Sequence, residues 1–125
     1  MIILPQYGFE LKSLDPQAEA NFSYLPITNS RAKVVLDSNS ILFESPNELR
    51  EASFSVGQFP ISFGSVTATG TNESKVLITT SGNLPQLVEQ TVGQGRIFYC
   101  ALNLFPRFLA LDETAYELLA NLLSH

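Results

Sequence analysis

The sequence contains little of what acid–base or nucleophilic catalysis requires. It has one histidine, one cysteine and no tryptophan among 125 residues. The histidine, His125, is the last residue, and chain ends are usually too mobile to hold a preorganised base. A Ser-His-Asp or Cys-His site, which needs a base within hydrogen-bond reach of its nucleophile, is therefore excluded. We expect no catalytic residues and a protein that is not an enzyme.

The same scarcity excludes a zinc site and an internal disulfide. Zinc needs several Cys or His residues at ligand spacing, and a disulfide needs two cysteines. Cys100 lies within an apolar segment without a neighbouring turn, so we expect a core residue rather than an exposed nucleophile. Asp37-Ser38-Asn39-Ser40 offers oxygen ligands but lacks the spacing of a calcium loop, and a turn with side-chain-to-backbone bonds is expected. No metal and no cofactor are predicted.

Charged residues are also few, and their distribution excludes several kinds of partner. The seven basic residues are scattered and the net charge is −5, so no basic stripe is available for nucleic acid or for an anionic membrane surface. No apolar run approaches the roughly 18 residues of a membrane-spanning helix. Because only 15% of residues are charged, part of the surface is either neutral and polar or apolar and covered by a partner.

Two further patterns favour structural interpretations over chemistry. Gly93-Gln94-Gly95-Arg96 leads into an apolar strand, whereas a phosphate-binding loop leads into a helix N-terminus, so a turn is expected. Glu44, Glu48 and Glu51 lie close in sequence, and Glu48 and Glu51 share a face of a predicted helix. A solvated acidic surface is expected there rather than a glycosidase pair held across a cleft.

What the sequence does contain is enough apolar residues for a core. Hydrophobic residues make up 45% of the chain, and its length is that of one domain, residues 1–125. A single helical turn is predicted at 16–20, and short buried strands at 33–36 and 40–43. Ser45-Pro46-Asn47-Glu48 has the spacing of a capping box, which predicts a short helix over 46–52.

The second half of the chain has clearer patterns of strands and turns. Strands are predicted at 64–69 and 75–80, followed by a β-hairpin near residues 86–102. Its strands, 86–92 and 96–102, flank Gly93-Gln94-Gly95. The second of these strands is almost continuously apolar, which predicts a strand covered on both faces.

The C-terminal segment has the periodicity of an amphipathic helix. Its apolar stripe consists of Ala115, Leu118, Leu119, Leu122 and Leu123, and either Asp112 or Thr114 is expected to cap it. Such a short helix is marginal alone, so it should dock on the sheet. The predicted fold is α/β or α+β, with a mixed, largely antiparallel sheet and the C-terminal helix packed on it.

One loop segment has two interpretations. Phe105-Pro106-Arg107-Phe108, between the last strand and the helix, is either a plug that seals the core or an exposed anchor for a protein partner. The plug is the preferred interpretation. If the segment is an anchor, the partner contacts are Phe105, Arg107 and Phe108.

The order of features from residue 76 to residue 123 resembles a known family. VLITT at 76–80, LPQLV at 84–88 and VGQGRIFY at 92–99 are similar to the C-terminal portion of class I glutamine-amidotransferase-like domains. Such domains occur as non-catalytic modules in multidomain glycosidases and in membrane-associated proteins. Active members need a Cys on a strand-to-helix elbow and a downstream His and Glu, but Cys100 lies on the wrong side of the hairpin, and no His follows it except His125, the last residue. The resemblance therefore implies a fold and a non-enzymatic role, and assigns no site residue.

These observations lead to two hypotheses about function. The first is a non-catalytic structural or protein-interaction module that works as a subunit or as part of a larger assembly, with a protein partner or with self-association. The alternative is a small-ligand or carbohydrate-binding domain, since Tyr, Asn, Gln, Ser and Thr can line a polar pocket. The absence of tryptophan weakens the sugar-stacking version of that alternative.

Overall fold

A computed structural model describes residues 2–3, 19–23, 34–55, 65–69, 73–80, 84–102 and 104–125. Within these ranges the strands are β1 (Ile2–Ile3), β2 (Glu19–Ser23), β3 (Val34–Leu36), β4 (Ser65–Thr69), β5 (Ser74–Thr80), β6 (Leu84–Val92) and β7 (Gly95–Cys100). The α-helices are α1 (Leu104–Leu109) and α2 (Glu113–Ser124), and 3₁₀ helices span Ile41–Phe43 and Glu51–Ser55.

The main sheet has five strands in the order β1-β7-β6-β5-β3. Strands β7, β6, β5 and β3 pair antiparallel, and the two-residue β1 adds to β7 in parallel. Strands β2 and β4 form a separate antiparallel pair. The prediction of a mixed α+β fold with a largely antiparallel sheet and a C-terminal helix is confirmed.

The predicted hairpin is formed by β6 and β7. Val92 pairs with Gly95, so the loop contains only Gly93 and Gln94. Gly93 has φ of +59°, and a positive φ at the first loop position is the pattern of a type II′ turn, which follows the twist of the two strands. Glycine reaches this conformation without steric cost, which explains why the turn forms here.

Strand β7 is covered on both faces, as its continuous apolar sequence predicts. Its residues Ile97–Cys100 are all buried. Phe98 and Cys100 belong to the larger core cluster, which also contains the buried apolar side chains of α2. The alternate residues of β7 join a second cluster with Val66 of β4. The main sheet therefore lies between the helices and the β2-β4 pair.

Helix α2 begins where the sequence places it, but its buried face differs from the predicted stripe. Asp112 is the N-cap, since its side chain accepts a hydrogen bond from the Thr114 backbone N–H at 3.3 Å. Leu123 is 72% exposed, whereas the polar Asn121 is fully buried. The buried positions are Ala115, Leu118, Asn121 and Leu122.

Between β3 and β4 the structure differs from the prediction. The strand predicted at 40–43 is wrong, because Ile41–Phe43 is a 3₁₀ helix capped by Ser40, whose Oγ accepts a hydrogen bond from the Leu42 N–H at 3.3 Å. The helix predicted over 46–52 is also wrong, because only its last two residues lie in a helical element, Glu51–Ser55. The Asn47 N–H, which a helix would direct toward its own N-cap, donates instead to Asn121 Oδ1 at 3.0 Å.

The helical turn predicted at 16–20 is contradicted at its last two residues. Glu19 and Ala20 lie in β2 and pair with Thr69 and Ala68 of β4. Strand pairing with a segment distant in sequence outweighs a local turn preference there. Residues 16–18 lie outside the described ranges.

Candidate interaction surface

Helices α1 and α2 meet at a tight corner whose backbone geometry is defined by two hydrogen bonds. The Leu111 N–H donates to Phe108 O at 3.1 Å, and the Asp112 N–H donates to Arg107 O at 2.9 Å. This pair of bonds is the Schellman motif, which ends a helix with one residue in the left-handed conformation. That residue is Leu111, with φ of +59°, at a position where glycine is the usual choice.

A buried ion pair connects the two ends of this motif. Arg107 Nη1 lies 3.0 Å from Asp112 Oδ2, and the Arg107 side chain is only 8% exposed. The other carboxylate oxygen of Asp112 caps α2. Schellman motifs commonly hold an apolar contact at this place. Here the ion pair between Arg107 and Asp112 takes the place of that apolar contact.

Phe108 of α1 and Tyr116 of α2 contact each other at the corner. Phe108 is partly buried against the main core, and its ring centroid lies 5.2 Å from that of Tyr116. The Tyr116 hydroxyl donates to Phe108 O at 2.8 Å. The prediction of a loop at 105–108 is wrong, because these residues lie in helix α1. Of the predicted partner contacts, Arg107 is therefore buried and Phe108 partly buried. The side chain of Phe105 lies outside the described part, and a partner role for the three residues stays a prediction.

The exposed apolar residues of the corner are ones that the sequence did not single out. Leu109 is 86% exposed, Leu111 is 78% exposed and Tyr116 is 44% exposed. We call these three residues the corner surface. The available signal in the sequence was a pair of leucines, Leu109 and Leu111, separated by a single residue. The sequence alone does not show that both side chains point to solvent.

Two carboxylates lie in the first turns of α2, shortly after Leu111 in the sequence. Glu113 and Glu117 are one helical turn apart on α2, and Tyr116 lies between them in sequence. Local desolvation, the negative charge of Glu113, a hydrogen bond to Glu113 and the charge of Asp112 all raise the pKa of Glu117. Within the described ranges, no Lys or Arg forms an ion pair with Glu113 or Glu117. The start of α2, beginning two residues beyond Leu111, is therefore acidic and without a counter-ion from those ranges.

A second candidate site is an open groove of about 510 Å³ over strands β5, β6 and β7. Two ion pairs lie along it: Lys75 Nζ with Asp37 Oδ2 at 3.3 Å, and Arg96 Nη1 with Glu89 Oε1 at 3.2 Å. Phe98 at the groove is only 3% exposed, so its ring offers no free face for stacking. The groove can supply hydrogen bonds and charged groups, but Phe98 does not provide an exposed aromatic ring on which a ligand could stack.

The predicted structural roles of several polar residues agree with the geometry. The Asn39 N–H donates to Asp37 Oδ1 at 3.1 Å, which is the side-chain-to-backbone bond of the expected turn. Glu48 pairs with Arg50 at 3.0 Å on an exposed surface. Glu51 accepts a hydrogen bond from the Leu36 N–H at 3.2 Å. The predicted helical face shared by Glu48 and Glu51 does not form, because residues 46–50 are not helical.

Cys100 and His125 have separate environments. Cys100 is fully buried, and desolvation raises the pKa of its thiol from 9.0 to about 12, with a smaller opposing effect of a backbone hydrogen bond at Leu102. His125 Nε2 lies 2.8 Å from the Ser45 carbonyl oxygen. Among the described residues, no group of three His, Cys, Asp or Glu side chains is placed to hold a metal ion.

The comparisons with known proteins found no relative of this chain. No protein-family model, curated protein or solved structure matches this chain. In the part of the chain that the structure describes, no helix has both the length and the apolar character needed to cross a membrane.

Proposed function

We propose that this protein is a non-catalytic interaction module that binds another protein through the corner surface, as a subunit or as part of a larger assembly. The observation that carries the proposal is Leu111, a large apolar residue that is 78% exposed in a left-handed backbone conformation. Backbone outliers of this kind concentrate at functional positions.

The energetics of Leu111 indicate that a leucine at this position does not stabilise the fold of the free protein. A non-glycine residue in the left-handed region costs about 1–2 kcal/mol, and glycine avoids that cost at this position of a helix end. Burial of a leucine side chain is worth about 1.5–3 kcal/mol. Because the side chains of Leu111 and Leu109 are mostly exposed, that gain becomes available only when a partner covers them.

The resemblance of residues 76–123 to non-catalytic glutamine-amidotransferase-like domains supports the same kind of role. Such domains act as modules of larger proteins, and the resemblance assigns no catalytic residue to this chain. The two arguments are independent, because the first depends on the corner between α1 and α2 and the second on the sequence of strands β5, β6 and β7.

The proposal is tested by site-specific photocrosslinking in cells of the natural host. A benzophenone amino acid replaces Leu109 or Leu111, and control chains carry it at Leu123 or Ile41, which are 72% and 60% exposed. We expect one discrete protein adduct from positions 109 and 111 and none from the controls. The adduct is then identified by mass spectrometry, and the complex is reconstituted from purified proteins.

Two results would contradict the proposal. One is the same set of adducts from all four positions, which indicates random collision. The other is a purified candidate partner whose affinity does not change when Leu109 and Leu111 are replaced. Residues that act as hot spots of an interface lose at least about tenfold in affinity on truncation, and the proposal assigns that role to Leu109 and Leu111.

The groove over β5, β6 and β7 favours small-ligand or carbohydrate binding as the second candidate function. Its lining includes Ser40 and Thr91 together with Lys75, Glu89 and Arg96, which can orient a polar ligand, as such pockets do. A thermal-shift screen of sugars, nucleotides and metabolites tests this function. A stabilising compound whose effect disappears in Thr91→Val supports it, and a screen without a stabilising compound rejects it.

A further inference from the structure

The charges around the corner surface restrict what can cover it. Glu113 follows the exposed Leu111 by two residues, and Glu117 lies one helical turn further along α2. The nearest basic side chain in sequence, Arg107, is buried and paired with Asp112, so it does not neutralise these two carboxylates. A partner that covers Leu109 and Leu111 therefore brings its own groups close to two carboxylates.

A second copy of the chain is a poor occupant. Most homodimers are two-fold symmetric and place the same patch on both sides of the interface. Such a dimer would bring Glu113 and Glu117 of both copies, four carboxylates in all, into or beside one interface, and like charges across an interface are strongly unfavourable. The net charge of −5 adds a long-range repulsion between two copies.

We propose that the corner surface binds a basic amphipathic segment of a different protein, with apolar side chains on Leu109 and Leu111 and Lys or Arg side chains beside Glu113 and Glu117. This inference rests on the proposed function and specifies its partner class. Apolar anchors supply most of the affinity in such interfaces. The charges of Glu113 and Glu117 add specificity and a faster, salt-dependent association.

The test uses two short synthetic peptides with the same spacing of leucines, one with lysine and one with glutamate at every polar position. Each carries a fluorophore, and binding to the intact chain is measured by fluorescence anisotropy at low and high ionic strength. We expect the Leu/Lys peptide to bind and its affinity to fall with added salt, because exposed charges are screened. We expect no binding of the Leu/Glu peptide.

Two double variants locate the binding. Leu109→Ser with Leu111→Gly should reduce affinity for the Leu/Lys peptide at least about tenfold. Glu113→Gln with Glu117→Gln should reduce it about threefold to tenfold at low salt, the range expected for two exposed ion pairs. The circular dichroism spectrum and urea midpoint of each variant are measured first, so that loss of binding is separated from loss of structure.

Matched control variants keep the same chemistry at other surfaces. Leu123→Ser removes an exposed leucine from the other end of α2, and Glu44→Gln with Glu48→Gln removes two exposed carboxylates far from the corner in sequence. Both controls should bind the Leu/Lys peptide with wild-type affinity. If they weaken binding as much as the corner variants do, the peptide is attracted by overall charge and the inference is wrong.

Failure of this inference is distinguishable from failure of the proposed function. Binding of the Leu/Glu peptide that depends on Leu109 and Leu111 would overturn the basic partner class while leaving an interaction surface at the corner. Absence of binding by the Leu/Lys peptide also overturns the inference. The photocrosslinking result from positions 109 and 111 decides the proposed function by itself.

Discussion

Asn121 provides the most quantitative test of how the structure is held together. Its buried amide joins α2 to the loop after β3: Nδ2 donates to Leu42 O at 2.6 Å and to Asn47 O at 2.8 Å. Its Oδ1 accepts from the Asn47 N–H at 3.0 Å and from Asn47 Nδ2 at 3.2 Å. Asn121→Leu keeps the side chain similar in size but removes every one of these bonds.

The expected cost follows from which groups remain buried. Leu42 is 3% exposed, so its carbonyl has little access to replacement water, and an unsatisfied buried acceptor costs about 1–3 kcal/mol. Asn47 is partly exposed, so water can replace its three bonds at a smaller cost, about 1 kcal/mol for the three together. The total loss of unfolding free energy is about 2–4 kcal/mol. This is less than the unfolding free energy of a typical domain, about 5–15 kcal/mol.

Urea denaturation followed by circular dichroism measures this cost. With a slope of about 1–3 kcal/mol/M, we expect the midpoint to fall by about 1–2 M while the slope stays constant. Ser124→Ala is the control on the same helix, because it removes an exposed bond to Ala120 O and should change stability by less than about 0.5 kcal/mol. A loss below about 1 kcal/mol for Asn121→Leu would refute the reasoning.

Three further predictions address single residues. Gly93 has φ of +59°, whereas an added Cβ at Gly95 meets only Val92 O at 3.6 Å, an ordinary contact. Alanine is therefore strained at position 93 only, and Gly95→Ala should be more stable than Gly93→Ala by about 1–2 kcal/mol in urea denaturation. Equal stabilities of the two variants would contradict this. Burial raises the pKa of Cys100 to about 12, so the neutral thiol stabilises the fold below pH 9 and loses that effect toward pH 12. A thiol reagent should modify Cys100 only on unfolding, and rapid native-state labelling would disprove burial. Because the pKa of Glu117 is raised, the contribution of this residue to stability falls as the pH rises. Glu117→Gln should therefore raise the unfolding free energy by about 0.2–0.5 kcal/mol at neutral pH, but should not change it below the ordinary glutamate pKa. A difference that does not depend on pH would exclude charge repulsion as the cause.

The parts of the fold that the sequence predicts are those determined by near neighbours in the chain. The β6-β7 hairpin follows from the glycines that flank Gln94, and the buried strand β7 follows from its continuous apolar residues. The start of α2 follows from Asp112, a good N-cap beside an apolar stripe. In each case local preference and tertiary packing favour the same structure, which makes the prediction reliable.

The errors have a common physical cause in long-range contacts. Residues 45–48 have a capping-box sequence, but Asn47 bonds to Asn121, which is 74 residues away. The apolar Leu123 was assigned to the core, yet the orientation of α2 buries Asn121 in its place. Neither contact leaves a signal in the neighbouring sequence.

The corner surface could be predicted only in part. The sequence indicated that the segment before α2 is either a plug or an anchor, and the structure buries Arg107 there while exposing the leucines beyond it. The left-handed conformation of Leu111 was not predictable, because the usual glycine or asparagine of a helix end is absent. Prediction from sequence fails at positions whose residue departs from the local conformational preference, and such positions are often functional or strained.

The most direct test of the interaction proposal compares stability and binding in one variant, Leu109→Ser with Leu111→Gly. If the two leucines serve a partner, the unfolding free energy should stay within about 1 kcal/mol of wild type, because glycine relieves strain at position 111. In the same sample, affinity for the crosslinked partner, measured by titration calorimetry, should fall at least about tenfold. A large loss of stability with unchanged affinity would show that Leu109 and Leu111 serve the fold, and would contradict the proposal.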